Sequence, residues 1–201
     1  MSEANSGSVL YGLVLAGGRS LRMQSDKAAL NYHGRSQLEW AVSLLGAHVP
    51  RTFVSVRADQ ATDPVRALYP QIVDQHAGLG PIAGILAAQA QYPHAAWLVM
   101  ACDLPFVDAA TLGRLIAQRQ PAKQATAYRS SHDGLPEPLC AIFEPSSGDA
   151  LRAHVASGRT CPRKFLIGAQ VELLDPVSPR ALDNVNTPQE HGDAMAVLEN
   201  A

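Results

Sequence analysis

Two glycines followed closely by an arginine and a lysine are the residues of this chain best suited to chemistry. The stretch reads Leu15-Ala16-Gly17-Gly18-Arg19-Ser20-Leu21-Arg22-Met23-Gln24-Ser25-Asp26-Lys27. Paired glycines bring backbone N–H groups against phosphate oxygens with no Cβ in the way. Arg22 and Lys27 add two positive charges to the same loop. A triphosphate needs both kinds of donor, because charge moves over its oxygens as a P–O bond breaks. Two commoner glycine motifs do not fit: the spacing is not GxGxxG, and no GxxxxGK[ST] occurs.

A second candidate is Asp103, in Ala101-Cys102-Asp103-Leu104-Pro105, directly after the apolar run AWLVM. An aspartate there lifts a carboxylate out of a strand end, and magnesium takes hard oxygen ligands, often one or two carboxylates plus phosphate oxygens. Alone, such an aspartate is better read as a helix cap or a turn; beside the glycine loop it reads as the metal ligand. Cys102 is not a nucleophile on this reading, since no histidine lies near it in sequence and phosphoryl transfer needs no covalent step. Asp74 precedes Gly80-Pro81-Ile82-Ala83-Gly84, where glycine and proline open a helix whose N-terminus favours anions. Asp74 is then a contact to base or ribose, or a turn aspartate. In Asp183-Asn184-Val185-Asn186-Thr187-Pro188, two alternating asparagines face one way on an extended segment, while Thr187 and Pro188 suit a helix start. Gly134-Leu135-Pro136-Glu137-Pro138 is a proline-rich loop, and Arg159, Arg163 and Lys164 form a basic cluster that either meets an anion or faces solvent.

Taken together these strings resemble the nucleoside-triphosphate transferases, and within them the molybdenum cofactor guanylyltransferases, from Val9 to Glu190. The resemblance implies that Leu15, Ala16, Gly17 and Gly18 contact a nucleotide, with Asp74, Gly80 and Lys27 completing its site. It further implies that Arg22 and Lys27 meet the triphosphate and that Asp103 holds Mg2+. The acceptor, a molybdopterin-type phosphate, would be met by Asn184, Asn186, Glu137 and Pro138. GMP would pass from GTP to that phosphate with release of pyrophosphate. Transient contact with other cofactor-biosynthesis or molybdoenzyme-maturation proteins is also implied. Gln24 stands where the family usually has glycine, and Glu137 where it often has histidine or glutamine. A cytidylyl- or sugar-phosphate nucleotidyltransferase and a non-catalytic nucleotide-binding module remain the alternatives.

The elements that must position these residues alternate. Strands are expected at Val9–Leu15, Thr52–Val56, Gln71–Asp74 and Ala96–Ala101. Helices are expected at Ser36–Leu45, Pro81–Ala90 and Asp108–Gln118. That alternation predicts a Rossmann-like, doubly wound α/β fold of the nucleotide-diphospho-sugar transferase type. Its sheet would be mostly parallel, with helices on both faces and ligands beyond the strands' carboxyl ends. Further on, strands at Leu139–Phe143 and Gln170–Leu174 and helices at Ser147–Ala156 and Pro188–Leu198 are expected. Residues 1–8 read as a polar tail and 9–201 as one domain, with an acceptor-binding elaboration after about residue 125.

Composition agrees. With 47% hydrophobic and 17% charged residues, the chain fits a packed core rather than disorder. A formal net charge of -2 gives no bulk attraction to nucleic acid or an anionic membrane, so an anionic ligand must be held by local groups. Three scattered cysteines, Cys102, Cys140 and Cys161, give neither a disulfide framework nor a thiolate zinc site, and point to a reducing cytoplasm. No basic, apolar leader opens the chain, and no apolar run reaches the roughly 20 residues of a membrane helix.

Overall fold

The computed structural model describes residues 7–18, 26–74, 76 and 78–199. Arg22 and Gln24, and residues 1–6 of the expected tail, lie outside them. Strands β1 (Leu10–Leu15), β2 (Thr52–Arg57), β3 (Gln71–Asp74) and β4 (Ala96–Ala101) alternate with helices α1 (Gln37–Gly46) and α2 (Pro81–Gln91). Then follow α3 (Ala109–Ala117), β5 (Ala125–Arg129), β6 (Pro136–Phe143), α4 (Gly148–Ala156), α5 (Pro162–Gly168), β7 (Val171–Leu174) and α6 (Pro188–Leu198). One seven-stranded sheet runs in the order β3-β2-β1-β4-β6-β5-β7. β6 is antiparallel to both neighbours, and the other pairings are parallel. The expected mostly parallel, two-faced α/β sheet is present.

Alternation along each strand divides the core between the two faces. Val14, Val54, Leu98, Met100 and Ile142 pack against Leu38 and Leu45 of α1 and Leu112 and Leu115 of α3. Leu13, Phe53, Trp97, Val99 and Phe143 pack against Ile82 and Ile85 of α2, Leu151 of α4 and Phe165 of α5. Every β4 residue is buried, as a central strand covered on both faces requires. The caps fall where expected: Asp108 Oδ1 accepts from Thr111 N at 2.8 Å, and Thr187 and Glu190 form a capping box around Pro188. No helix of the described residues is long and apolar enough to cross a membrane.

Three features differ from expectation. Strand β5 and helix α5 appear where the sequence pattern announces no element. The proline-rich segment is not a loop: Pro136, Glu137 and Pro138 belong to β6. Prolines are tolerated there because β6 pairs with β4 only over residues 140–143, and the pairing with β5 shifts register between Ala127 and Arg129. Ser8, expected in a tail, is held: Arg119 Nη2 donates to its carbonyl at 3.0 Å and to its hydroxyl at 2.7 Å.

Candidate nucleotide site

The carboxyl ends of β1, β2, β3 and β4 open into a cavity of about 400 Å³. Leu15, Ala16, Gly17 and Gly18 line it from the end of β1, Ser55 and Arg57 from β2, Asp74 from β3, and Asp103 from just beyond β4. Sheet register sets this convergence: Leu15 lies opposite Ser55 and Ala101, and Arg57 opposite Asp74. Cys102 N donates to Leu15 O at 3.2 Å, carrying the β1–β4 pairing one step further and bringing Asp103 to the mouth.

Lys27 arrives from a short 3-10 turn, Lys27–Ala29, capped by Asp26, whose Oδ1 accepts from Ala28 N at 3.0 Å. Its ammonium donates to Asp103 Oδ2 at 3.1 Å and to Asn186 Oδ1 at 2.6 Å. Residues 27, 103 and 186, remote in sequence, therefore meet at one point. Asn186 is held there because Val185 N donates to Asp103 O at 2.9 Å and Val185 packs with Tyr32 and Ala194. Burial, and then the charges of Asp103 and Glu190, push the Tyr32 phenol up to about 12, so it stays neutral.

Asp103 Oδ1 is buried and has no hydrogen-bond partner among the described residues. A buried carboxylate oxygen without a donor is costly unless a cation occupies it. Among those residues no three His, Cys, Asp or Glu side chains gather as a metal cage. A hard cation sharing one carboxylate with phosphate oxygens and water fits this donor set. Burial pushes the Cys102 thiol up, which agrees with its rejection as a nucleophile.

At the far end of the cavity, burial raises the Asp74 carboxyl above its ordinary range, while Arg57 and His76 oppose the shift. Gly80 caps α2 at φ +70°, a backbone region that favours glycine, and lines the cavity with Pro81 and Gly84. Arg57 donates through Nη1 to the Gly17 carbonyl and grips Asp59 at 2.9 Å through Nε and Nη2. Arg57 and His76 line the cavity, yet no motif in the sequence singles them out. For Arg57 the usable signal is a charged residue at the carboxyl end of a parallel strand.

A second cavity of about 390 Å³ lies beside the first, and Leu139 lines both. Glu137, Asn184, Asp183 and Arg163 line it. Arg163 Nη1 donates to Asp133 Oδ2 at 2.9 Å, and Nη2 to Glu137 Oε1 at 2.5 Å. Asn184 and Asn186, expected to act together, thus serve different cavities, with buried Val185 between them. Pro138 is buried within β6 and lines neither. Of the basic cluster only Arg163 reaches the cavity, while Arg159 and Lys164 are exposed.

Comparison with known proteins places this arrangement. Residues 12–173 match the MobA-like NTP transferase domain. The chain is 41% identical over 186 residues to the molybdenum cofactor guanylyltransferase of Xanthomonas euvesicatoria pv. vesicatoria, covering 89% of this chain and 90% of that one. It is 36% identical over 183 residues to the molybdenum cofactor biosynthesis bifunctional protein of Synechocystis sp.; that match covers 91% of this chain but 53% of the relative, so the chain spans about half the relative's length. Among solved structures, the molybdopterin-guanine dinucleotide biosynthesis protein A of Archaeoglobus fulgidus superposes with a TM-score of 0.77 at 25% identity, over 95% of this chain and all of that one.

Proposed function

The chain belongs to the MobA-like NTP transferase domain family, and from that premise we propose that it transfers GMP from GTP to the terminal phosphate of a molybdopterin-type acceptor, with magnesium. The observation that carries this reading is the meeting of Lys27, Asp103 and Asn186 in a cavity walled by the Gly17 segment.

An acceptor phosphate oxygen attacks the α-phosphorus of GTP, a new P–O–P bond forms, the α–β bond breaks, and pyrophosphate leaves. Asp103, with its open Oδ1, would hold the magnesium. When bound, the ion neutralises phosphate charge. Lys27 leaves its carboxylate partner for the departing phosphates, and the Gly17 segment offers backbone N–H groups. Asp74 presents a carboxylate to the adjacent N–H donors of guanine's pyrimidine edge. Asn186 lines the first cavity beside Lys27, and in the second Glu137 and Asn184 offer acceptors and donors to the polar ring of the acceptor. A phosphomonoester is already largely an anion near neutral pH, its second pKa being about 6, so no strong general base is required. Catalysis on this scheme is positioning and electrostatics.

Pyrophosphate release by the purified chain, with molybdopterin, magnesium and GTP, CTP, ATP or UTP in turn, tests the proposal. Release with GTP alone is expected. Release with CTP in preference to GTP, or with none of the four, overturns it.

A further inference from the structure

Arg66 lies on no motif and lines neither cavity, yet its side chain is only 2% exposed. Its guanidinium joins the end of β1, just before Gly17 and Gly18, to Asp26, which caps the turn that begins with Lys27. Nε and Nη2 both donate to Ala16 O at 3.2 Å, at the end of β1. Nη1 and Nη2 grip the Asp26 carboxylate at 2.7 and 2.9 Å. On its far side Nη1 lies 3.3 Å from Asp63 Oδ1, which also accepts from Arg66 N at 2.9 Å and Val65 N at 3.2 Å. Asp63 thereby fixes where the arginine starts.

We propose that Arg66 is a positioning residue for the nucleotide, a staple that holds the end of β1, with Gly17 and Gly18, at a fixed distance from Asp26 and so sets the aim of Lys27. The inference rests on the reading of Gly17, Gly18 and Lys27 as contacts to the triphosphate. A buried guanidinium is costly unless its N–H groups find acceptors, and here the two main acceptors are Ala16, next to Gly17, and Asp26, next to Lys27. Asp26 then caps the turn that begins with Lys27, so a shift of the carboxylate shifts the lysine. No ammonium reproduces the planar fork that reaches a carbonyl and both carboxylate oxygens together. Backbone N–H groups bind phosphate well only when held still, since misplacement by about 1 Å costs orders of magnitude in a preorganised site.

Isothermal titration of GTP with magnesium, without acceptor, into the wild-type chain, Arg66→Lys and Asp26→Asn tests the staple. Both variants are expected to weaken the Kd about tenfold or more, with stoichiometry still near one. A merely architectural arginine lowers the stoichiometry, because some chains misfold, and leaves the Kd of the remainder unchanged. Asp26→Asn separates a further case: its carboxylate lines the cavity, so direct repulsion of phosphate predicts tighter binding on its removal, whereas the staple predicts weaker. If Arg66→Lys does not fold, Asp26→Asn decides between them from the half-exposed end of the pair. A Kd that is unchanged or tighter in the folded variants overturns the staple alone, and a wild-type chain that binds no GTP overturns the functional reading with it.

Discussion

At the mouth of the first cavity the Asp103 carboxylate has one oxygen on Lys27 and the other without a donor among the described residues. The proposed substrate complex exchanges these partners: the ammonium turns to phosphate and the carboxylate to the metal. Asp103→Ala is therefore expected to lower the turnover of pyrophosphate release by at least about 100-fold, the scale of a lost transition-state contact, and added magnesium should not restore it. Turnover within tenfold of wild type would remove Asp103 from the metal role. Lys27→Ala is expected to lose a similar factor, with the added mark that its Asp103 carboxylate is left uncompensated and the protein melts earlier. Lys27 and Asp103 are legible in the sequence because each sits inside a dense string of unusual residues. Arg57 and Arg66 are not. An isolated arginine reads as surface charge; only the sheet register places Arg57 opposite Asp74, and only the tertiary fold brings Arg66, in the turn Arg66–Leu68, to Ala16.

Helix α2 lies close enough to the sheet that Gly84 is held there by contact rather than by backbone shape. A Cβ at Gly84 would meet Ser55 Oγ at 2.2 Å, and Ser55 Cβ and Leu15 Cδ2 at 3.0 Å. Gly84→Ala must push α2 outward, at a cost of about 1–3 kcal/mol for overpacking. Because Gly80, Pro81 and Gly84 also line the cavity, the same shift should raise the KM for GTP. Ser55→Ala, which removes the nearest atom, should recover part of the stability lost in Gly84→Ala; a melting temperature unchanged by Gly84→Ala would show that α2 yields freely. The start of α2 is readable from Gly80-Pro81. β5 and α5 are not, for different reasons. Ala125–Arg129 has no alternation, since both its faces are buried, Ala125 and Ala127 in one core and Tyr128 in the other. Pro162–Gly168 is short, and Arg163 and Lys164 within it read as a solvated face. Glu137 and Pro138 likewise read as loop residues because nothing local announces that β4 stops short of them.

Across the whole molecule, the cavities and the buried Arg119–Glu144 ion pair lie at opposite ends of the sheet. Burial lowers the pKa of His154 in α4 and of His33, both below the ordinary value of 6.5. Each ring binds a proton more weakly folded than unfolded, so its contribution is intact above pH 6.5 and declines as pH falls from there towards the lower folded value. The melting temperature should drop between pH 7 and pH 5, with a shallower drop in His154→Gln; parallel curves would rule the His154 ring out as a source. At the amino ends of β1 and β4, beyond Phe143, the Glu144 side chain is 1% exposed and accepts from Arg119 Nε at 2.6 Å and Nη2 at 2.8 Å, with Ser8 Oγ at 3.2 Å. This knot ties the entry of β1, the exit of α3 and the end of β6, and no residue of it lines either cavity. Arg119→Met strands the Glu144 carboxylate, at a cost of about 3–5 kcal/mol for a broken buried pair. In a domain of this size that corresponds to a fall of roughly 6–20 °C in Tm. The Kd for GTP at about 20 °C should stay within about twofold of wild type, because the strand ends that carry Gly17, Asp74 and Asp103 are reached only through intact sheet. A GTP affinity that weakened in step with the Tm would mean that the two ends of the sheet are coupled rather than independent.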